Sequence, residues 1–130
     1  MKVHHYGFLA KSIEKSLSDF EKLGYKKFGN LIQDNERGIN IQFIESYSGD
    51  LIELITPFHA NSVVSNLMKK FKNQVYHICY QVDDLLATIE ELKENEYLLI
   101  DPPKFAPALN CEVAFLFAQN TGIIELMNGK

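Results

Sequence analysis

Several features that mark particular classes of protein are missing from this sequence. It contains no stretch approaching the roughly 18 apolar residues of a membrane span, and its start, MKVHHYGF, lacks the apolar segment of a signal peptide. Basic residues form no patch longer than the segment KKFK at 69–72, whereas a nucleic-acid-binding protein carries a basic stripe. We therefore expect a cytoplasmic protein with neither a membrane nor a nucleic acid as its partner.

Cysteine is also scarce. Cys79 and Cys111 are the only two, and they share no short motif, so the sequence offers neither a zinc knuckle nor a thioredoxin-like pair. We expect both thiols to be reduced and packed as small apolar groups. With 130 residues, 46% hydrophobic residues and a net charge of −4, the chain has the size and composition of one soluble globular domain.

What the chain does contain is an internal repeat. A shift of 72 positions aligns its halves without a gap, so that VHHYGFLAKSIEKSLSDFEKLGY, starting at Val3, falls on VYHICYQVDDLLATIEELKENEY, starting at Val75. The coincident residues include His5 with His77, Phe43 with Phe115, and Ile52-Glu53-Leu54 with Ile124-Glu125-Leu126. Such a repeat indicates two copies of one structural unit.

Each copy opens with a short alternating run typical of a strand, followed by a helix. In the first copy Ser12 is the candidate N-cap and Gly24 the glycine that ends the helix. In the second copy Asp83 or Asp84 is the candidate cap. Further short strands follow each helix, among them GINIQFIE with DLIELI and CEVAFLF with GIIELM. The sequence therefore predicts two βαβββ modules.

The segments between these elements complete the predicted organisation. FHANSVVSNLMKKFKN has apolar residues at helical spacing and is predicted to be a linking helix over about 58–73. The segment DPPKFAP, which holds three of the four prolines, is predicted to be a loop. The whole chain, 1–130, is thus predicted to be a single domain, with module 1 at about 1–57 and module 2 at about 74–130.

Alternation along a strand decides which side chains share a face of a sheet. On GINIQFIE, the row Ile39, Ile41 and Phe43 is predicted to lie under the helices, which leaves Asn40 and Gln42 facing a pocket. The same reasoning places further polar residues on the face that no helix covers: His5, Glu53, His77, Cys79, Gln81 and Glu125.

Two histidines and two glutamates recur at one spacing. His5 precedes Glu53 by 48 positions, and His77 precedes Glu125 by 48. A pseudo-twofold arrangement of the modules would bring all four side chains into one cavity, where imidazole and carboxylate ligands suit Zn, Ni, Co, Mn or Fe. Each residue alone would be taken as structural, but their joint recurrence favours one divalent-metal site. His4 competes with His5, and we prefer His5 because His4 is predicted on the helix side.

These segments resemble the vicinal oxygen chelate superfamily over nearly the whole chain. The resemblance rests on VHHYGFLAKSIEKSLSDFEKLGY, LIELITP, VYHICYQVDD, VAFLF and GIIELM, and it is greatest to methylmalonyl-CoA epimerases and metal-dependent glyoxalase I enzymes. It implies an α+β fold in which two tandem βαβββ modules form a curled mixed sheet around a central cavity, with the helices on the outer face. It also implies a homodimer, and places His5, Glu53, His77 and Glu125 at the four ligand positions.

Enzymes of this kind act next to a carbonyl group. A bound metal is a Lewis acid that stabilises the enolate formed when the adjacent C–H loses its proton, and a carboxylate removes and returns that proton. By resemblance, Glu125 or Glu53 is this base, and Glu125 is preferred. We therefore expect a metal-dependent lyase or isomerase that acts on a small thioester or hemithioacetal.

Departures from the family pattern limit what can be said of the substrate. The epimerases carry a further acidic base in the first module, where Gln42 is the nearest residue predicted to face the pocket, and an amide cannot accept a proton. Glyoxalase I grips its substrate carboxylates with arginines, and Arg37 is the only arginine here. Asn40, Gln42 and Cys79 are the candidates for contact with substrate.

Two other functions compete with this hypothesis. One is a metal-free protein of the bleomycin-resistance type that sequesters a small molecule, although such proteins usually lack the ligand set. The other is a ring-cleaving dioxygenase, which uses two histidines and one carboxylate, so that the second glutamate counts against it. The sequence leaves open which metal binds, and whether the site is completed within one chain or across a dimer.

Overall fold

The computed structural model describes residues 1–129, which adopt the expected α+β fold. Within that range three helices accompany a mixed sheet of nine strands. No helix in the described range is long and apolar enough to span a membrane. The elements in chain order are β1 (Lys2–Leu9), α1 (Ile13–Glu21), β2 (Lys26–Lys27), β3 (Ile32–Asp34), β4 (Ile39–Glu45), β5 (Leu51–Pro57), α2 (Ser65–Phe71), β6 (Gln74–Val82), α3 (Leu85–Glu94), β7 (Leu98–Ala106), β8 (Cys111–Ala118) and β9 (Gly122–Asn128).

The chain divides into two compact units. Residues 5–76 form one, called here the N-terminal unit, and residues 1–4 with 77–129 form the other, called the C-terminal unit. Strand order is β2-β4-β5-β1 in the N-terminal unit, where β3 also pairs with β4, and β6-β9-β8-β7 in the C-terminal unit.

Both units repeat one pattern of strand pairing. The first strand runs parallel to the last, as β1 does to β5 and β6 to β9. The last strand is antiparallel to the one before it, as in β4 with β5 and β8 with β9. The predicted βαβββ repeat is therefore confirmed, with the position of β7 occupied in the N-terminal unit by the two short strands β2 and β3.

Each unit has its main helix capped at the start as predicted. The Ser12 hydroxyl accepts a hydrogen bond from the Lys15 amide at the start of α1. At the start of α3 the cap is Asp84, whose carboxylate accepts from the Ala87 amide at 3.0 Å. Satisfying these otherwise unpaired amides stabilises a helix by about 1 kcal/mol.

The helices bury equivalent apolar faces on the two halves of the sheet. In the N-terminal unit the buried cluster beneath α1 is Leu17, Ile44, Ile52 and Leu54. In the C-terminal unit the cluster beneath α3 is Val82, Leu85, Ile89, Ala114, Leu116, Ile124 and Leu126. Because Leu54 and Leu126 lie under helices, the glutamates that precede them point to the opposite face of the sheet, as predicted.

The predicted orientation of β4 is wrong. Ile44 packs beneath α1 with Leu54, whereas Phe43 lies on the other face, directly opposite Glu53 of β5. The reason is that GINIQFIE has apolar residues in both alternating rows, and both faces of this strand are buried. When both faces are buried, the alternation of Asn40 and Gln42 with apolar residues does not show which face lies under the helix.

The correction extends to two residues proposed to contact substrate. Gln42 shares the face of Ile44, and its amide donates hydrogen bonds to the carbonyls of Gly29 and Phe43 at 3.1 and 2.9 Å. Asn40 lies two residues earlier in the same row. Gln42 therefore does not lie on the face of Glu53, and its amide no longer counts against a two-base epimerisation.

The segment DPPKFAP is mostly strand and not the predicted loop. Pro102 and Pro103 lie within β7, the last strand in the order of its unit. A proline is tolerated on such an edge strand where its missing N–H would have faced away from the ladder, which holds for only one of two consecutive residues. The pairing with β8 shifts register on either side of Asp101, which absorbs the disturbance.

The linking helix is shorter than predicted. Only Ser65–Phe71 is helical, and 58–64 form turns. The polar side chains before the helix bond locally, since Ser62 accepts from the Val64 amide and Ser65 donates to the His59 carbonyl. Short polar side chains compete in this way with helical hydrogen bonds.

Candidate metal centre

In the N-terminal unit, a histidine of β1 meets a glutamate of β5. These strands run parallel with Gly7 opposite Glu53, which places His5 and Glu53 on the face that α1 does not cover. His5 Nε2 lies 3.3 Å from Glu53 Oε1. The exposed fractions of the two residues are 0% and 5%, so the contact is shielded from solvent.

The C-terminal unit builds the same pair from β6 and β9. Here Cys79 is opposite Glu125, again in a parallel pair. His77 Nε2 lies 3.0 Å from Glu125 Oε1, and the residues are 2% and 4% exposed. The equal spacing seen in the sequence therefore corresponds to one local geometry, built twice by a parallel strand pair.

A phenylalanine packs against each histidine. Phe43 meets the ring of His5 with ring centroids 5.3 Å apart and an interplanar angle of 87°, and Phe115 meets His77 at 5.3 Å and 90°. Each phenylalanine also lies directly across from the glutamate of its pair. Sequence reasoning missed this role, although the coincidence of the two phenylalanines in the repeat was a signal for it.

The surroundings of the two pairs differ. Around His5 the same face carries buried aliphatic residues: Leu9, Ile39, Ile41 and Ile55. Around His77 it carries a cluster that contains sulfur: Cys79, Ala106, Val113 and Met127, with Leu109, Cys111 and Phe115 packed against it. Burying a carboxylate in such surroundings is unfavourable unless a cation or a set of hydrogen bonds compensates its charge.

Neither cysteine forms a disulfide within the described residues. Cys79 is fully buried in the apolar cluster, as predicted for a packed thiol. Burial raises the pKa of the Cys111 thiol, the Glu125 carboxylate raises it further, and a hydrogen bond with the Asn128 backbone opposes both effects. Cys111 therefore remains a neutral thiol beside Glu125 at neutral pH.

The donor set fits a divalent cation. An imidazole and a carboxylate from each unit, His5, Glu53, His77 and Glu125, make up the candidate metal-binding group of the described residues. Nitrogen and oxygen donors of this kind suit first-row divalent ions. Of the two adjacent histidines it is His5 that contacts its glutamate. His59, in the segment before α2, is exposed.

The profile of the glyoxalase/bleomycin resistance protein/dioxygenase superfamily matches residues 4–115. The chain belongs to this superfamily. The resemblance read from the sequence is thus confirmed. Among curated members, the mitochondrial methylmalonyl-CoA epimerase of Dictyostelium discoideum is 25% identical over 128 residues, which cover 96% of this chain and 76% of that protein.

Solved structures of the superfamily share this fold. A hypothetical protein from Bacillus halodurans C-125 superposes with a TM-score of 0.88 at 26% identity, covering 99% of this chain and 94% of that one. The methylmalonyl-CoA epimerase from Mycobacterium tuberculosis superposes with a TM-score of 0.85 at 18% identity, covering 99% and 88%. The predicted fold class is therefore confirmed by both its elements and its neighbours.

Proposed function

We propose that this chain is a divalent-metal-dependent isomerase that moves the proton next to the carbonyl of a small thioester. The observation that carries the proposal is the buried His–Glu contact that occurs once in each unit, at 3.3 and 3.0 Å. Relatives named methylmalonyl-CoA epimerase favour an isomerase over a lyase of the glyoxalase I type. We also expect the protein to act in the cytoplasm as a homodimer.

The first part of the proposal is that both pairs hold one ion. The equal spacing of 48 residues in the sequence and the candidate group formed by the four residues support it. A bound divalent cation supplies a Lewis acid that stabilises negative charge on the carbonyl oxygen of the substrate. Its identity is one of Zn, Ni, Co, Mn and Fe, since all accept imidazole and carboxylate ligands.

The second part assigns the proton transfer. Glu125 takes the proton from the carbon next to the carbonyl, as general base, and isomerisation is completed when a proton is delivered by a general acid to the opposite face of that carbon. Glu53 is the alternative, because it has the same geometry in its own unit. The aliphatic and aromatic side chains around both pairs exclude water, which strengthens electrostatic interactions at the reacting atoms.

The test combines metal content with proton exchange. The purified protein is analysed for bound metal by mass spectrometry, and exchange of the C2 hydrogen of methylmalonyl-CoA in heavy water is followed by NMR. We expect one divalent ion per chain, and a loss of exchange by at least about 100-fold in Glu125→Gln, because general acid–base catalysis contributes about 10²–10⁴-fold.

Two histidine variants test whether the effect is specific to the candidate ligands. His77→Gln is expected to lose both metal and exchange, whereas His59→Gln, at an exposed histidine, should keep both. Should the parent protein bind no metal after reconstitution and exchange no thioester proton, the proposal is wrong. Tight binding of a small molecule without turnover would then favour the sequestration function.

A further inference from the structure

The C-terminal unit carries a row of apolar side chains on the face of Glu125. The row crosses three neighbouring strands, since Ile123 of β9 is opposite Phe117 of β8, and Phe117 is opposite Leu98 of β7. Phe117 comes two residues after Phe115, which is itself opposite Glu125, so alternation places the row on that face. Ile123, Phe117 and Leu98 are called here the apolar row.

The apolar row begins beside a candidate metal ligand. His77 of β6 is opposite Ile123, so the ligand and the row lie on one line across the sheet. Exposure rises along this line, from 2% at His77 through the half-buried Ile123 to 39% at Phe117 and 63% at Leu98. Neighbouring exposed apolar side chains are typical of places where a ligand or another protein binds. The line to His77 favours a ligand that also reaches the candidate metal site, as a substrate does.

The equivalent positions of the N-terminal unit are mostly charged. The residues 72 positions before Leu98 and Phe117 are Lys26 and Glu45, which are opposite each other in β2 and β4. The third equivalent residue is Leu51, opposite Glu45. The repeat therefore forms this pairing without apolar side chains at the edge, and their presence in the C-terminal unit indicates a separate role.

The apolar row lies within reach of a substituent on the reacting carbon. Ile123 is two residues from Glu125 and Phe117 is one strand further, so at the usual strand dimensions a chain of roughly six carbons spans the distance. We propose that the apolar row binds an alkyl substituent longer than the methyl and ethyl groups in the names of the epimerase relatives, and so selects thioesters that carry one. This inference rests on the proposed function.

The test compares two thioesters that differ only in the length of this substituent, methylmalonyl-CoA and hexylmalonyl-CoA. In the parent protein we expect kcat/KM for proton exchange to be at least about tenfold higher for hexylmalonyl-CoA, because each methylene group removed from water contributes about fourfold to binding. The double variant Leu98→Lys, Phe117→Glu gives the row the side chains of the N-terminal unit. Its two kcat/KM values should become nearly equal, and it should still bind metal as the parent does.

The matched control is Leu86→Lys. Leu86 of α3 is 66% exposed, close to the 63% of Leu98, and lies outside the apolar row. This variant should keep the parent's preference for hexylmalonyl-CoA. Phe117→Leu, which retains an apolar side chain, should keep most of it. Equal kcat/KM values for the two thioesters in the parent protein, or an unchanged preference in the double variant, would overturn the proposal.

A second subunit is the alternative occupant of the apolar row. Sedimentation analysis of the parent protein and the double variant distinguishes it from the substrate. An unchanged oligomeric state in a double variant that has lost the preference supports the proposal. A dimer that dissociates in the double variant while the preference is kept would show that the row is a subunit interface instead.

Failure of the proposed function is recognised separately, as absence of exchange in the parent protein with either thioester. Calorimetric titration with both thioesters then tests the apolar row without turnover. Tighter binding of hexylmalonyl-CoA than of methylmalonyl-CoA by the parent protein, but not by the double variant, supports the alkyl site. Equal binding of the two thioesters by the parent protein, or no binding of either, excludes it.

Discussion

The phenylalanine that packs against each histidine holds the imidazole in one orientation. Phe115→Leu removes the ring that packs against His77 and faces Glu125. We expect metal affinity to fall about tenfold, since residues that orient metal ligands contribute about 10- to 100-fold. Competition with a chromophoric chelator measures the change. Phe28→Leu, at a half-exposed ring of the N-terminal unit, is the control and should bind metal as the parent does.

The two glutamates could be placed from sequence because each stands between two apolar residues that pack under a helix. Glu53 lies between Ile52 and Leu54, both of which pack under α1, so its direction followed from its neighbours. Gln42 could not be placed in this way, because both faces of β4 are buried and the apolar neighbours of Gln42, Ile41 and Phe43, lie on the face of Glu53. The packing role of Phe43 depends on the same strand and was missed for the same reason.

The turns that follow α1 and α3 are equivalent but differ in residue type. Gly24 has φ of +96° and Glu96, 72 positions later, has φ of +72°. A residue with a side chain is strained in this region by about 1 kcal/mol, whereas glycine is not. We expect Glu96→Gly to raise the free energy of unfolding by up to about 1 kcal/mol, measured by urea denaturation. Gly24→Ala should have the opposite effect, and equal midpoints for all three proteins would contradict this account.

The turn before β4 depends on a buried ion pair. Arg37 Nη1 lies 2.9 Å from Asp34 Oδ2, and the Arg37 amide also donates to the same carboxylate. Removing one partner of a buried ion pair destabilises the folded protein by about 3–5 kcal/mol, because the remaining charge loses that partner. Asp34→Ala should therefore lower the unfolding free energy by about this amount in a denaturant titration. Asp19→Ala, which removes the exposed partner of Lys22, should have little effect.

The elements that sequence reasoning misjudged depended on tertiary context. β7 accepts two prolines because it is the last strand in the order of its unit, and strand order is not visible in the sequence. Helical spacing of apolar residues in the linking segment begins at Val63, but the hydrogen bonds of Ser62 and Ser65 hold the chain before the helix in turns. Periodicity gave no information about either effect.

A pair of histidine variants tests whether one chain completes the site. His5→Gln alters the N-terminal unit and His77→Gln alters the C-terminal unit. If each site takes one unit from each of two subunits, a mixed dimer of these variants contains one intact site. If each site lies within one chain, the mixture contains none. We expect no recovery of proton exchange after mixing, unfolding and refolding, because one chain supplies all four members of the candidate group. Recovery of about a quarter of the parent activity would show that the site is shared between subunits.

The buried glutamates have a consequence for which ions the protein can accept. Glu53 and Glu125 bring two negative charges into mainly apolar surroundings, and the imidazoles add none when neutral. A divalent cation balances both charges, which leaves the site electrically neutral. A monovalent or trivalent ion leaves a net charge in a medium of low dielectric constant, where charge is costly. Electroneutrality, more than the size of the ion, would then set the selectivity of this protein.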